Sequence, residues 1–302
     1  MIKMYKTIYD TMLDLVLKKA EAAHITPEML EKYYIPEGTQ LGQNYYCRLA
    51  SSLQNGTSSG MNKSIKFNGE NRGIIEEVLC GFNYEQVIER YKNENKPSES
   101  WKNLYEAFLQ AGIVDVGSGE RQKRIDKSKS KEGKDKKAAQ KTNWEKYSRG
   151  LYEGAVFLAD SGDKIIGELI ENNNETIFNE SWVDTIKKIT DIHGVGMALA
   201  CDWLKECGCT WLVKPDVHIK KVYCAMYGKR YSTTVDYDKI KDKDIIKFFF
   251  DWKNELQNNG YSDVTVYKID KIIWLICTGE FYLDKNNSIG RDFLIKSILE
   301  KN

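Results

Sequence analysis

Between Trp182 and Leu204 apolar residues repeat at the spacing of one helix face, stop at two glycines, and resume. Trp182, Ile186, Ile189 and Ile192 fall three or four apart. Gly194-Val195-Gly196 interrupts them, and Met197, Leu199, Ala200, Trp203 and Leu204 restore the pattern. The pattern predicts a helix, a tight glycine hairpin and a second helix. Glycine suits such a turn because it accepts positive φ and adds no Cβ. The unbonded N–H groups that open the second helix can then meet an anion such as phosphate.

The same reading gives helices along most of the chain. Ile8, Met12, Leu15 and Val16 mark an amphipathic helix within residues 1–24. Thr26-Pro27 begins another, with Thr26 as N-cap and Pro27 at the first helical position. Tyr45 to Asn55 reads as a helix ending in the polar loop 56–60. Residues 73–112 look helical, with Ser98 as a cap before Trp101 and Gly112 as the stop. Helical spacing returns over 144–180, 217–227, 244–256, 266–281 and 289–299. Val264-Thr265-Val266 hints at a strand. No repeat at a solenoid period is present.

Composition narrows the class. The 302 residues are 41% hydrophobic, enough for one large or two small cores, and four prolines fit a largely helical chain. Lys+Arg 45 against Asp+Glu 44 announces no nucleic-acid partner by net charge. Charge is local instead: residues 118–142 hold ten Lys/Arg and four Asp/Glu with one large apolar residue. Such a stretch cannot bury a core and reads as an exposed insertion, either a solvated linker or a clamp on a phosphate backbone. No apolar run reaches the ~18 residues of a membrane span, and Met1-Ile-Lys-Met-Tyr-Lys has no export-signal core. Seven scattered cysteines (47, 80, 201, 207, 209, 224, 277) suggest reduced cytosolic thiols, and the Cys207/Cys209 spacing is poor for zinc.

The hairpin Ile192-His193-Gly194-Val195-Gly196 is followed by Asp216, in Pro215-Asp216-Val217-His218, 20 residues after Gly196 (216 − 196). Hairpin and aspartate at this spacing resemble the helix-hairpin-helix, Gly/Pro–Asp (HhH-GPD) DNA glycosylases over about forty residues. The family motif is an apolar residue, usually Pro, then Gly-apolar-Gly, a helix, and one Asp opening the next helix. Here His193 replaces the Pro. The resemblance implies a mainly α fold with two helical lobes and a DNA-binding cleft between them. It assigns Asp216 to catalysis and His193, Gly194, Val195 and Gly196 to DNA binding, with Lys220 and Lys221 nearby. Lys205 and Lys214 are further candidates for phosphate. Gln54 matches the helix-ending Gln that enters the gap left by an extruded base in relatives, with Asn62-Lys63 beyond it; an ordinary helix C-cap is the alternative.

The chemistry asks little of the chain. Breaking a glycosidic bond builds oxocarbenium charge on the sugar, and one carboxylate near C1′ can stabilise it and orient water. Asp216 suits that role at a helix start, where the dipole favours an anion; a plain N-cap is the structural alternative. Members that also cut the backbone carry a lysine two residues after the second glycine. Here that position is Ala198, which implies a monofunctional enzyme. An extruded base needs a pocket with stacking rings, for which Tyr45, Tyr46, Trp203 and the space beside Ala198 are candidates.

The expected organisation is an N-terminal helical extension (1–39), a first lobe (40–117), the basic insertion (118–142), a hairpin and catalytic lobe (143–240) and C-terminal helices (241–302). The expected activity is release of a damaged or enzymatically modified base, bulky and of foreign DNA in one version that gives a defence role, leaving an abasic site. No side-chain metal and no iron–sulfur cluster are expected, since only Cys277 follows Cys224. A monovalent cation on the hairpin carbonyls is compatible with the motif. The expected partner is double-stranded DNA, for a monomer in a bacterial-type cytoplasm acting at the nucleoid. The rivals are a non-catalytic helix-hairpin-helix DNA binder and a helical interaction protein.

Overall fold

The computed structural model describes residues 2–55, 71–114, 143–227 and 240–278, together with 294–296, 298 and 300. The basic stretch 118–142, the loop 56–60 and Asn62-Lys63 lie outside the described residues. Among the described residues every regular element is helical, as the 3.6-residue periodicity requires. Val264 and Thr265 form no strand. Thr265 Oγ1 instead accepts the N–H of Lys268, so this segment caps a helix start. No described helix is long and apolar enough to cross a membrane.

The chain groups into two compact units. One contains residues 46–162 and 191–195. Its helices are α4 (Tyr45–Gln54, from Tyr46 onward), α5 (Arg72–Val78), α6 (Tyr84–Tyr91), α7 (Ser100–Gln110) and α8 (Asn143–Phe157). All nine residues from Tyr46 to Gln54 are buried, so α4 is the unit's axis. Helix α8 lies against it. A Cβ at Gly154 would come 2.2 Å from Leu49 Cδ2, so glycine is what lets the two helices approach. Tyr147 donates its hydroxyl to the Ala50 carbonyl (2.9 Å), and Phe108, Trp144 and Tyr147 close the core with ring centroids 5.2–6.2 Å apart. These contacts explain why residues 143–162 group with 46–114, and not with the hairpin helices as the sequence-based boundaries had it. Ser98 does not cap α7. Pro97 starts a 3-10 turn that runs into the helix, and Ser100 Oγ accepts the N–H of Asn93.

The second unit contains residues 1–45, 163–190 and 196–302. Its helices are α1 (Ile2–Ala22), α2 (Pro27–Lys32), α3 (Glu37–Gln40), α9 (Asp163–Glu171), α10 (Glu180–Ile189), α11 (Met197–Glu206), α12 (Val217–Met226), α13 (Asp242–Asn258) and α14 (Val266–Thr278). The expected Thr26 cap forms, with Met29 N–H on Thr26 Oγ1 at 3.3 Å. Helix α1 turns Ile8, Tyr9, Met12, Val16 and Ala20 into the core, against α14 and α13. Trp182, Trp211 and Phe250 meet in tilted and edge-on contacts, with ring centroids 5.0–6.5 Å apart. Almost every residue of α14 is buried, including Lys268, Asp270 and Lys271. A central helix carrying three buried charges must pair them internally.

Candidate functional site

Helix α10 ends at Ile189, and the predicted turn follows. Val195 N–H returns to the Ile192 carbonyl at 3.0 Å, and Gly194 takes φ +82°, where a side chain is strained. Gly196 differs: its φ is −90°, its ψ 174°, and it is the N-cap of α11. Any residue tolerates that backbone. A Cβ on Gly196 or Gly194 would meet nothing within 4 Å, and both residues are exposed. The expectation that both glycines serve positive φ is therefore corrected to Gly194 alone. Leu199 and Ala200 N–H both go to the Gly196 carbonyl, while the Met197 and Ala198 N–H groups have no partner among the described residues. The turn thus presents bare backbone and free donors. Val195 is buried at 3% exposure and anchors the turn's tip.

The first arm of the turn is clasped. The His193 N–H donates to Glu153 Oε2 at 2.7 Å, and Arg149 Nε donates to Glu153 Oε1 at 2.6 Å. Gly150, on the same face of α8, lets the His193 carbonyl approach: a Cβ there would lie 2.8 Å from it. Arg149 and Glu153 stand four apart, a legible helical ion pair, but their engagement with residue 193 left no sequence signal.

Asp216 opens α12. Its φ of −86° and ψ of −175° are N-cap values, and Oδ1 accepts His218 N–H at 2.8 Å and Ile219 N–H at 3.2 Å. Oδ2 accepts no hydrogen bond and makes no ion pair among the described residues, though the carboxylate's charge helps to sustain that of Lys214. Asp216 is partly exposed. One carboxylate oxygen is spent on the helix and the other is available.

The lysines read as phosphate contacts are mostly spoken for. Lys205 is 3% exposed and pairs with Asp270 at 3.1 Å. Lys214 pairs with Asp202 at 3.3 Å. Lys220 pairs with Asp242 at 3.2 Å, and Lys221 is buried at 7% exposure. The acids that face Lys205, Lys214 and Lys220 lie on other segments, which the local pattern could not show. Burial works against charge on Lys205, but Asp270, then Glu206 and Asp202, outweigh it and hold the ammonium up. Lys214 is likewise raised: burial opposes the charge and Asp202 sustains it. Burial raises the Asp270 carboxyl against the pull of Lys205 and of the Lys214 N–H.

The base-pocket candidates divide. Tyr46 is fully buried with its hydroxyl on the Leu151 carbonyl at 3.3 Å, so it is core. Trp203 is fully buried with its indole N–H on the Tyr45 carbonyl at 2.9 Å, so it too presents no ring face. Tyr45 and Ala198 are partly exposed. Gln54 ends α4 as expected but is buried, at 8% exposure. All seven cysteines are free thiols, and no group of metal-ligating side chains occurs among the described residues. No family model, curated protein or solved structure matches the chain.

Proposed function

We propose that this chain is a monofunctional DNA glycosylase that hydrolyses the N-glycosidic bond of a flipped-out damaged or modified base and leaves an abasic site. One observation carries the reading. A turn of bare glycine backbone opens α11 with N–H groups that find no partner among the described residues, and 20 residues after Gly196 an aspartate caps α12 with one carboxylate oxygen that accepts no hydrogen bond among them. The first is what a DNA phosphate needs; the second is what a developing oxocarbenium needs. In this reading Asp216 Oδ2 faces C1′ and orients the attacking water, while the cap bonds to Oδ1 hold the carboxylate in place. Ala198, at the motif position where members that cut the backbone carry a lysine, supplies no amine, so water is the nucleophile. The HhH-GPD arrangement of lobes around double-stranded DNA belongs to this proposal, as does a bulky base of foreign DNA as substrate and a defence role.

A screen of duplexes carrying different modified bases, followed by cleavage at abasic sites, tests it. No abasic product from any of them would count against the reading. The competing reading is a non-catalytic helix-hairpin-helix DNA binder. It is favoured by the fact that capping alone already employs Asp216. Salt-dependent DNA binding without base release would establish it.

A further inference from the structure

Lys214, two residues before Asp216, is gripped from two helices. Its backbone N–H donates to Asp270 Oδ2 of α14 at 2.7 Å. Its ammonium pairs with Asp202 Oδ1 of α11 at 3.3 Å. The Lys214 carbonyl then accepts the Asp216 N–H at 2.6 Å, closing a three-residue γ-turn through Pro215, whose ring fixes one of the turn's torsions. Asp216 completes the path by capping α12. Asp270 is itself held by Lys205 of α11 at 3.1 Å, and both are almost completely buried. Burying such charges is unfavourable unless they are paired and hydrogen-bonded, and here each bond converges on the residue that leads into Asp216.

We infer that Asp270 is a positioning residue for Asp216, acting through the Lys214 N–H, with Asp202 as the second tether. This rests on the glycosylase reading for its consequence but not for its geometry. Neutralising Asp270 alone would strand the Lys205 ammonium in the core. The informative comparison is therefore between two charge-neutral pairs. Lys205→Met with Asp270→Asn keeps an oxygen for the Lys214 N–H. Lys205→Met with Asp270→Leu removes it.

Two measurements apply to both full-length proteins: amide exchange across residues 213–219 below the melting range, and single-turnover base release from the best duplex of the screen. Exchange at the Lys214 and Asp216 amides should be faster in the Leu pair by about 2- to 10-fold, the factor that a hydrogen bond to a neutral amide oxygen is worth. Base release should be slower in the Leu pair than in the Asn pair, with DNA affinity equal in the two. Equal exchange in both pairs would overturn the tether. The exchange contrast without base release in the parent protein would uphold the tether and overturn the glycosylase reading. Faster exchange with equal base release would show that Asp216 does not depend on the tether.

Discussion

The backbone N–H of His193 donates to the Glu153 carboxylate at 2.7 Å, and only a residue other than proline can make that bond. The resemblance places proline here. In this chain the rigidity a ring would give comes from a side chain on α8, itself oriented by Arg149. Glu153→Ala should lower stability by about 1 kcal/mol, less than the ~1.5–3 kcal/mol of a buried charged acceptor because the pair is about a third exposed. His193→Pro should lose the same bond and gain nothing. Urea midpoints with an unchanged slope would measure both. A His193→Pro variant as stable as its parent would remove this clasp from the account.

Capping and catalysis by Asp216 can be separated. Asn is as good an N-cap as Asp, so Asp216→Asn should keep stability and DNA affinity, whereas Asp216→Ala should cost about 1 kcal/mol of stability. If the carboxylate stabilises the oxocarbenium, Asp216→Asn should nevertheless lose base release, by about 3–4 kcal/mol of barrier as in comparable electrostatic sites. Near-parental base release in Asp216→Asn would leave only the cap.

The hairpin glycines should respond differently. Gly194→Ala forces a side chain into the left-handed region and should cost about 1–2 kcal/mol. Gly196→Ser meets no steric obstacle and supplies a better cap, so stability should hold or rise slightly. A bulky residue at Gly196 should keep the fold and weaken DNA binding, because the open space there is what a phosphate backbone would use. Unchanged binding at low and moderate salt would show that the hairpin is not the anchor.

Local pattern and distant partners were not equally legible. The helix pair around Gly194, the Thr26 cap and the position of Asp216 at a helix start follow from residues within one or two turns of one another. Lys205, Lys220 and Lys221 read as surface because their pattern is polar. What engages them lies elsewhere in the chain: Asp270, the partner of the buried Lys205, is 65 positions away (270 − 205), on a helix whose own charges look like a solvated face, and Lys220 pairs with Asp242. Trp203 and Tyr46 failed as pocket walls for the same reason. An aromatic residue announces burial or stacking equally well until its neighbours are known. Helix α8 approaches α4 at Gly150 and Gly154, whose missing side chains carry no apolar signal at all.

The thiols should fall into two classes. Cys80 and Cys207 are partly exposed, while Cys47, Cys201, Cys209, Cys224 and Cys277 are buried. Burial also pushes the Cys47, Cys201 and Cys209 thiols up, which lowers the fraction of reactive thiolate at neutral pH. Native-state titration with a disulfide reagent at pH 8 should therefore give two fast thiols, mapping to Cys80 and Cys207, and five more only on unfolding. Fast labelling of Cys201 or Cys209 would contradict the packing of α11.

The product should be an intact strand bearing an abasic site, and the amines near Asp216 are the reason. Schiff-base attack requires a neutral amine within bonding reach of C1′. Ala198 supplies none, and the two lysines nearest in sequence to Asp216 and α11's end are unsuited. Lys205 and Lys214 are buried in ion pairs whose acids hold them protonated, and a protonated amine is no nucleophile. Borohydride should trap no enzyme–DNA adduct with the parent protein. Ala198→Lys supplies the missing amine on the first turn of α11, where the helix dipole disfavours the ammonium and so favours the neutral form. That variant should become trappable and nick the strand. Ala198→Phe should instead impair the bulkiest modified bases selectively, because it adds bulk where this reading puts the base pocket. An adduct with the parent protein, or none with Ala198→Lys, would place C1′ away from the first turn of α11 and move the proposed site.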